Sequence, residues 1–169
     1  MRTYLILLGG NEGNVRQSFT AAILHLREKC RVVRLSSLYV SEAWGFCSHD
    51  FLNQVVEVQT PLDPLELLDF TQHVERLLGR TQKTQSDGNY SARLIDIDLL
   101  LSDDLCVDTE RLTLPHPRLH MRRFTLLPLC EHWAKNVHPK LNKTMDELLA
   151  LCEDKSYVYL LPETEIADE

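Results

Sequence analysis

The amino-acid sequence predicts an α+β fold with a ferredoxin-like βαββαβ core, an antiparallel sheet with helices packed on one face, followed by short extra C-terminal elements. Two observations predict this fold. Four segments with strand character and two with helical periodicity occur in the order strand, helix, strand, strand, helix, strand. The length of 169 residues also suits one domain, which we place at residues 1–160, with residues 161–169 as an acidic, disordered tail.

The first half of the predicted core contains three strands and one helix. Residues 4–8 form a continuous apolar run, which is typical of a buried strand. Asn14 can cap the helix that follows, because its side chain can accept a hydrogen bond from an unpaired amide of the first turn. Residues 32–40 are rich in branched side chains and predict the second strand, and residues 51–60 predict the third after a loop at residues 41–50.

The second half of the core begins at residues 63–66, Asp-Pro-Leu-Glu, which combine a cap, a first-position proline and a capping-box glutamate. The buried stripe of this helix is predicted at Leu67, Phe70, Val74 and Leu77. Gly79 ends the helix. Residues 80–92 are polar and predict a mobile loop, residues 93–101 predict the fourth strand, and residues 143–152 predict a last amphipathic helix.

The composition excludes several classes of protein. No apolar run approaches the roughly 18 residues that span a bilayer, and the run at residues 4–8 stops without a signal-peptide cleavage site. The five cysteines include no C-x-x-C pair, so we expect free thiols. The net charge of −7 lies in residues 145–169, and residues 1–144 balance 17 basic with 17 acidic residues. We therefore expect a cytoplasmic protein that binds neither nucleic acid nor membrane.

Asp96 and Asp98 are the most specific chemical feature of the sequence. Side chains alternate along a strand, so both carboxylates point to one side with Cα atoms about 7 Å apart, while Ile95 and Ile97 point into the core. Such a pair suits Mg²⁺, which takes a few carboxylates together with phosphate and water oxygens. The alternative is an edge strand with two solvated aspartates that oppose aggregation. The branched neighbours favour a central strand.

Two further pairs could recognise a flat heterocycle. Gln72 and Glu75 share one face of the second helix, opposite the predicted buried stripe, and could hydrogen-bond to a base or ribose, although a solvated helix face is the simpler interpretation. Phe51 and Asn53 share one strand face and could stack on a ring and read its edge, although core packing and a turn contact would explain them equally. Trp44 could be a lid over such a pocket or a surface anchor.

Arginines between residues 76 and 123 indicate a small polyanion, because the guanidinium fork grips phosphate oxygens in pairs. The segment at residues 109–118 and Arg122 are part of this cluster. The glycine-rich residues 9–14 lack the lysine of a P-loop and the spacing of a dinucleotide-binding loop. If ATP binds, arginines and a metal ion must hold its phosphates.

Several segments in the same order resemble one family, the 6-hydroxymethyl-7,8-dihydropterin pyrophosphokinases. The resemblance covers nearly all of residues 4–139. It runs through residues 8–14, 39–45, 51–56, 75–80, 93–98 and 114–118.

The resemblance implies that pyrophosphate passes from ATP to the hydroxymethyl oxygen of 6-hydroxymethyl-7,8-dihydropterin, with release of AMP, in a step of folate biosynthesis. It implies two Mg²⁺ ions held by Asp96 and Asp98, and a monomer whose partners are ATP and the reduced pterin. The implied catalytic residues are Asp96, Asp98, Arg80 and Arg93. The implied ATP contacts are Gln72, Glu75, Arg93, Arg111, Thr113, His116 and Arg122. The implied pterin contacts are Phe51 and Phe124 on the two ring faces, and Asn53 with Ser41, Glu42 and Trp44 at the ring edges.

Four positions depart from the family pattern. Gly10 stands where serine is frequent, and Ala43 stands where proline is frequent. Gln82 and Tyr90 stand where arginine and tryptophan are often found. The changes leave the reaction class intact and bear on how the loop closes.

Two other functions fit the residues without the resemblance. A palm-like nucleotidyltransferase also uses a ferredoxin-like sheet with paired aspartates, but releases pyrophosphate. A small-molecule sensing module on the same fold would need neither the aspartates nor Mg²⁺. The ordered set of segments favours the pyrophosphokinase over both.

Overall fold

The computed structural model describes residues 1–43, 49–79 and 94–162. Its strands are β1 (Arg2–Gly10), β2 (Arg31–Leu35), β3 (Tyr39–Ser41), β4 (Phe51–Thr60), β5 (Asp96–Leu101), β6 (Val107–Asp108), β7 (Thr113–Leu114), β8 (Val137–His138), β9 (Lys143–Thr144) and β10 (Val158–Leu160). Its helices are α1 (Val15–Leu26), α2 (Pro64–Leu77), α3 (Arg123–His132) and α4 (Met145–Leu151), with a 3₁₀ turn at Leu119–Met121. The predicted loop at residues 80–92 lies outside the described residues.

The main sheet has six strands, with β1 at its centre. The strand order is β10-β3-β4-β1-β5, and β2 also pairs with β4. β2 lies against residues 56–59 of β4, and β3 lies against residues 51–53, so the two share one edge of β4. Each described pairing in the sheet is antiparallel. The predicted α+β class with an antiparallel sheet is therefore confirmed.

The predicted single strand at residues 32–40 is wrong, because the chain forms two strands with a break at residues 36–38. Ser36 causes the break. Its backbone N–H donates to the Val55 carbonyl at 2.8 Å, and its hydroxyl accepts from the Val55 N–H at 2.9 Å. The side chain thus replaces a backbone carbonyl as the partner of β4. Propensity alone could not reveal this exchange.

Both predicted helix starts are confirmed. The Asn14 side chain accepts from the Gln17 N–H at 3.1 Å, and Asp63 and Glu66 form a reciprocal capping box with bonds of 2.9 and 2.8 Å. Gly79 follows α2 with φ of +97°, a left-handed conformation that glycine adopts at little cost.

Helices cover both faces of the sheet, so the prediction of helices on one face is right only for α1 and α2. On β1, Tyr4, Ile6 and Leu8 pack on the side of α1 and α2, whereas Leu5 and Leu7 pack on the opposite side. The cover on that side comes from Leu126, Leu129, Met145 and Leu148 of α3 and α4. The C-terminal elements form this second layer because β1 is apolar on both faces and each face must be buried.

The chain beyond α4 returns to the sheet. β10 pairs with β3 at the sheet edge. Leu161 is buried, and its N–H donates to the Leu38 carbonyl at 2.9 Å. The predicted start of the tail at residue 161 is therefore too early. Residues 163–169 lie outside the described part.

No helix within the described ranges is long and apolar enough to cross a membrane. Cys30, Cys106, Cys130 and Cys152 are free thiols, which confirms the expectation for these four cysteines.

Candidate active site

One transverse row of residues crosses four strands at the centre of the site. Tyr39 lies opposite Asn53, Asn53 lies opposite Gly9, and Gly9 lies opposite Asp96. We call these four residues the Asp96 row. Directly opposed residues of antiparallel strands point to the same side of a sheet, so Asp96 and Asn53 face the same side. Adjacent strands are about 4.8 Å apart, so their Cα atoms lie about 10 Å apart with no side chain between them.

Asp98 lies next to the apolar core on the same side of the sheet. It is opposite Leu7, which is itself opposite Val55. Leu7 and Val55 belong to the apolar cluster beneath α3 and α4. Asp96 and Asp98 are both half-buried, and Ile97 between them points to the other core and is buried. The predicted alternation of the two carboxylates is therefore confirmed.

The donor set at β5 fits Mg²⁺ that carries a phosphate ligand. Asp96 and Asp98 present two carboxylates on one side of the strand. Within the described ranges, no cluster of three or more His, Cys, Asp or Glu side chains could hold a metal ion by itself. Mg²⁺ commonly takes one or two carboxylates and completes its octahedron with phosphate and water oxygens. Two aspartates beside an open stretch of sheet meet that requirement.

Glu75 lies in the core beside β5, so its prediction as part of an exposed helix face is wrong. It is 4% exposed, whereas Leu77 of the predicted buried stripe is 54% exposed. The Glu75 carboxylate accepts a hydrogen bond of 2.9 Å from the backbone N–H of Ile97. Glu75 thus binds the backbone of β5 at Ile97, the residue between the two aspartates. Leaving a buried backbone N–H without its acceptor costs about 1–3 kcal/mol. Gln72 is half-buried on the same helix.

Asn53 is buried with its amide orientation set by β3. Its Nδ2 donates to Ser41 Oγ at 2.8 Å and to the Tyr39 carbonyl at 3.4 Å. Its Oδ1 lies 3.9 Å from the position that a Cβ on Gly9 would take. The amide oxygen is therefore on the Gly9 side of the side chain, towards the gap in the Asp96 row.

Phe51 and Phe124 belong to the same side of the sheet. Phe51 is half-buried and lies opposite Ser41. Phe124 is in the first turn of α3 and packs on the apolar cluster beneath that helix. The guanidinium carbon of the buried Arg122 lies 5.4 Å from the centre of the Phe124 ring, within cation–π range. The start of α3 thus combines an aromatic ring with a cation.

A second group of predicted residues lies on the outer side of β5. The N–H of His116 donates to the Leu100 carbonyl at 2.7 Å, which attaches the segment after β7 to β5. His116 Nδ1 accepts from the Arg118 N–H at 3.1 Å, so the neutral ring carries its proton on Nε2. Thr113 of β7 is half-buried. Arg111 is exposed and forms an ion pair with Asp69 of α2.

The described site residues therefore form two groups, and Asp96 and Asp98 share the side of the sheet with the first of them. The group on the α3 side of the sheet contains Ser41, Phe51, Asn53, Arg122 and Phe124. The group beside α2 and the outer edge of β5 contains Gln72, Glu75, Arg111, Thr113 and His116. Glu42 lies at the sheet edge, where its N–H and its carboxylate are both bonded to Tyr157. Trp44, Arg80 and Arg93 lie outside the described residues, and their roles stay predictions.

Sequence reasoning missed Asn11 and Glu131. Asn11 is buried and its Nδ2 donates to the His49 carbonyl at 3.1 Å. Glu131 of α3 accepts from Ser37 N–H at 2.9 Å, Ser37 Oγ at 2.7 Å and the Tyr39 hydroxyl at 2.9 Å. Burial tends to raise the pKa of Glu131, but these hydrogen bonds outweigh burial and lower it. Nothing local in the sequence marks Glu131.

Gly9 was also missed as a site residue, although a signal for it exists. A glycine inside a strand often marks a place where another group approaches the backbone closely. Residues 9 and 10 end β1 with two glycines. A Cβ on Gly10 would lie 2.7 Å from the Leu94 carbonyl, which is closer than backbone atoms allow.

Comparison with known proteins identifies the family. A family model described as 7,8-dihydro-6-hydroxymethylpterin-pyrophosphokinase matches residues 5–134. A 2-amino-4-hydroxy-6-hydroxymethyldihydropteridine pyrophosphokinase from Porphyromonas gingivalis is 41% identical over 143 residues, which cover 83% of this chain and 96% of the relative. The protein of that name from Haemophilus influenzae is 32% identical over 165 residues, covering 96% of this chain and 100% of the relative.

Solved structures share the fold. A Plasmodium falciparum HPPK-DHPS structure matches with a TM-score of 0.71 at 16% identity, covering 89% of this chain and 44% of that chain. An HPPK-DHPS structure in complex with substrates matches with a TM-score of 0.66 at 13% identity, covering 89% of this chain and 43% of that chain. The chain thus spans less than half the length of both. Because the family model matches most of the chain and the curated relatives align along nearly their whole length, this chain belongs to the 7,8-dihydro-6-hydroxymethylpterin-pyrophosphokinase family.

Proposed function

We propose that this protein transfers pyrophosphate from ATP to the hydroxymethyl oxygen of 6-hydroxymethyl-7,8-dihydropterin and releases AMP, a step of folate biosynthesis. The observation that carries the proposal is the Asp96 row. A ring-recognising amide and a metal-binding carboxylate face the same gap about 10 Å apart. This separation suits an acceptor whose ring lies at Asn53 and whose reacting hydroxyl reaches towards the phosphates at Asp96.

The pterin is proposed to bind on the α3 side of the sheet. Phe51 and Phe124 would contact the two ring faces, since both aromatic rings belong to that side. Asn53 would read the ring edge with its Oδ1, because its Nδ2 is already bonded to Ser41. The backbone from Ser41 through Glu42 to Trp44 would complete the edge recognition. A fixed amide orientation favours one orientation of the ring.

ATP is proposed to bind beside α2 and the outer edge of β5. Gln72, Thr113 and His116 would contact the nucleotide, and the Nε2–H of His116 can donate to a phosphate oxygen. Arg111 would exchange its ion pair with Asp69 for a phosphate, which is feasible because both partners are exposed. Arg122 would contact the phosphates from the start of α3, where helix amides add positive potential. Arg80 and Arg93 would add charge from outside the described ranges.

The reaction is proposed as an in-line displacement. The hydroxymethyl oxygen attacks the β-phosphorus and gives up its proton to water, the bond from that phosphorus to the α–β bridging oxygen breaks, and AMP leaves. Two bound Mg²⁺ ions would neutralise the phosphate charge and align the triphosphate, with Asp96 and Asp98 as their protein ligands. The chain's own contribution is to place both substrates and to keep the carboxylates in position through Glu75.

We also infer that the fold is ferredoxin-like in the stricter sense. β2 and β3 together act as one interrupted strand, so the core order becomes second, third, first and fourth strand across the sheet. The two core helices lie on one side of that sheet. Both features agree with the split βαβ arrangement.

The proposal is tested by nucleotide analysis after the protein is mixed with ATP, Mg²⁺ and 6-hydroxymethyl-7,8-dihydropterin. AMP should form in step with the pyrophosphorylated pterin. ADP would indicate a simple kinase, pyrophosphate would indicate a nucleotidyltransferase, and unchanged ATP would favour a binding module.

Variants of the aspartates test the site assignment. Asp96→Asn and Asp98→Asn should abolish turnover with little change in the melting temperature, because the charge is lost while shape and burial are kept. Asp104→Asn is the matched control, since Asp104 is exposed in the turn after β5 and should leave turnover unchanged. Near-normal activity of either Asp96→Asn or Asp98→Asn would contradict the metal assignment.

A further inference from the structure

We infer that the segment at residues 154–160, which we call the C-terminal strap, positions both walls of the pterin site, with Tyr157 and Asp154 as its positioning residues. The inference rests on the proposed pterin site. None of the strap residues belongs to the resemblance, which ends near residue 139. The strap contacts the start of α3, the side chains of Glu42 and Asp50, and the edge strand β3.

The first contact holds the start of α3. Asp154 Oδ2 accepts from the backbone N–H of Arg123 at 3.0 Å. Its Oδ1 accepts from both the N–H and the hydroxyl of Ser156, at 2.9 and 2.6 Å. Arg122 has no side-chain capping bond of its own to α3. Asp154 therefore serves as a cap supplied from 31 residues further along the chain, and it sets the place of the turn that carries Phe124.

The pKa of Asp154 agrees with this role. Burial tends to raise the pKa, but the hydrogen bonds from Ser156 and Arg123 outweigh burial and lower it. The carboxylate is thus held in its ionised form, which also favours its place at the positive end of a helix.

The second contact joins Tyr157 to Glu42 and Asp50, which lie just before and just after residues 43–49. Tyr157 N–H donates to Glu42 Oε1 at 3.0 Å, and Glu42 N–H donates to the Tyr157 carbonyl at 3.3 Å. The Tyr157 hydroxyl donates to the Asp50 carboxylate. One residue thus joins the position before the segment to the position after it. Because Ser41 precedes Glu42 and Phe51 follows Asp50, Tyr157 also bridges the ends of the two strands that carry the pterin-reading side chains.

The third contact continues the sheet. Val158 of β10 lies opposite Ser41, and Leu160 lies opposite Tyr39. Ser41 in turn accepts the hydrogen bond that orients the Asn53 amide. The strap is therefore linked to Asn53 through β3 and to Phe124 through Asp154. One short segment thus contacts both walls and contributes to how they face each other.

The bonds of Tyr157 are made by an exposed residue. Losing them should therefore affect the position of the site more than the stability of the core. Tyr157 is 48% exposed and stacks on Tyr159, which is 49% exposed. Replacing Tyr157 by phenylalanine removes the bond to Asp50 and keeps the ring and both backbone bonds. The strap contacts lie at β3, at Glu42 and Asp50, and at the start of α3, whereas the ATP residues His116 and Gln72 lie beside β5 and on α2. The loss should therefore affect the pterin more than ATP.

The test compares Tyr157→Phe with Tyr159→Phe, the neighbouring tyrosine whose ring lies in the same stack. The readouts are KM for the pterin, KM for ATP, kcat and the melting temperature. We expect Tyr157→Phe to raise KM for the pterin by about fivefold, the effect of one lost hydrogen bond of typical strength at an exposed side chain. KM for ATP and the melting temperature should change little, and Tyr159→Phe should behave as the unmodified protein.

Asp154→Asn is the second variant, with the exposed Glu153→Gln as its matched control. It removes the charge that caps α3, which carries both Arg122 and Phe124 in or beside its first turn. We expect KM to rise for both substrates, and Glu153→Gln should change neither. If Tyr157→Phe raises both KM values equally or changes neither, the strap has no specific role at the pterin site and the inference is overturned. An Asp154→Asn protein with unchanged KM values would overturn the part assigned to α3.

Asn53→Ala separates failure of the inference from failure of the proposed pterin site. The affinity for the pterin is measured by calorimetry in the presence of a non-hydrolysable ATP analogue. It should weaken strongly in Asn53→Ala. If it weakens there but not in Tyr157→Phe, the site stands and the strap inference is overturned. If it is unchanged in Asn53→Ala, the pterin site is misplaced and both proposals are overturned.

Discussion

Asn53 and Asp96 lie on one transverse row of the sheet and face the same side, with only Gly9 between them. The gap exists because the central strand supplies no side chain at that place. The amide of Asn53 is bonded to Ser41 and cannot turn to fill the gap without losing that bond. The sheet itself therefore sets the distance between the residue proposed to read the pterin and the residue proposed to hold the metal.

Filling the gap at Gly9 should block the pterin without unfolding the protein. A Cβ on Gly9 would meet its nearest atoms at 3.9 Å, an ordinary contact, so Gly9→Ala should fold normally. The longer side chain of Gly9→Leu would project between Asn53 and Asp96. We expect Gly9→Leu to weaken pterin binding by roughly tenfold or more, about 1.4 kcal/mol for each tenfold. Calorimetric titration of both variants checks this expectation, and equal pterin affinity in the two would contradict it.

Gly10→Ser should destabilise this protein, although serine is frequent at the corresponding position of the family. A Cβ on Gly10 would lie 2.7 Å from the Leu94 carbonyl, which is a backbone atom and cannot rotate away. Leu94 leads into β5, so relief of the clash would displace the strand of the aspartates. We expect a loss of about 1–3 kcal/mol in the free energy of unfolding and reduced turnover. The measurement is urea unfolding of Gly10→Ser, with Gly9→Ala as the comparison. A Gly10→Ser protein as stable as the parent would contradict the expectation and show that Leu94 adjusts freely.

Glu75 should matter through its hydrogen bond to β5 and not only through any contact with ATP. Glu75→Ala leaves the buried Ile97 N–H without its acceptor and should cost about 1–3 kcal/mol of unfolding free energy. Glu75→Gln keeps an acceptor oxygen and should cost less. Chemical denaturation and Mg²⁺ titration of the ATP complex distinguish the variants. If Glu75→Ala and Glu75→Gln lose the same stability, the bond to Ile97 is not the cause.

Glu131 should make part of the stability depend on pH in the acid range. Hydrogen bonds from Ser37 and Tyr39 lower the pKa of Glu131 below its ordinary value of 4.5 despite the opposing effect of burial. A carboxyl group with a lowered folded-state pKa stabilises the fold at pH above the unfolded-state pKa. That contribution is lost as pH falls through the folded-state pKa. The folded protein therefore binds this proton less readily than the unfolded chain does.

The corresponding experiment is urea unfolding of the parent and Glu131→Gln at pH 7 and at successively lower pH. The parent should be more stable at pH 7, and the difference should shrink as the pH falls below the ordinary pKa of 4.5. A difference that stays constant over this range would mean that the Glu131 charge contributes nothing and that only the shape of the side chain matters.

Local patterns predicted the core elements well because their causes lie within a few residues. The caps at Asn14 and Asp63 bind amides three residues ahead. The shared direction of Asp96 and Asp98 follows from the two-residue period of a strand. The resemblance then assigned roles to residues that periodicity alone left open, such as Phe124 and His116.

The structure corrected the predictions from sequence where a residue's hydrogen-bonding partner is distant along the chain. The spacing of Gln72 and Glu75 predicts an exposed helix face, but Glu75 is buried and accepts a hydrogen bond from the N–H of Ile97, which is 22 residues away. Ser36 breaks a strand because its hydroxyl accepts a hydrogen bond from the N–H of Val55, which is 19 residues away. No local propensity contains such pairings.

By itself, the sequence determined the order of the core strands and helices, the helix starts and the pair of carboxylates on one side of β5. These depend on backbone geometry and on neighbours within one turn or one strand period. Only the tertiary structure decided which side of the sheet the carboxylates share with Asn53, and which residues hold the site together. The contact from Glu42 to Tyr157 spans 115 residues. Such contacts form only when the whole sheet closes, because their stabilisation depends on burial and register that no single segment possesses.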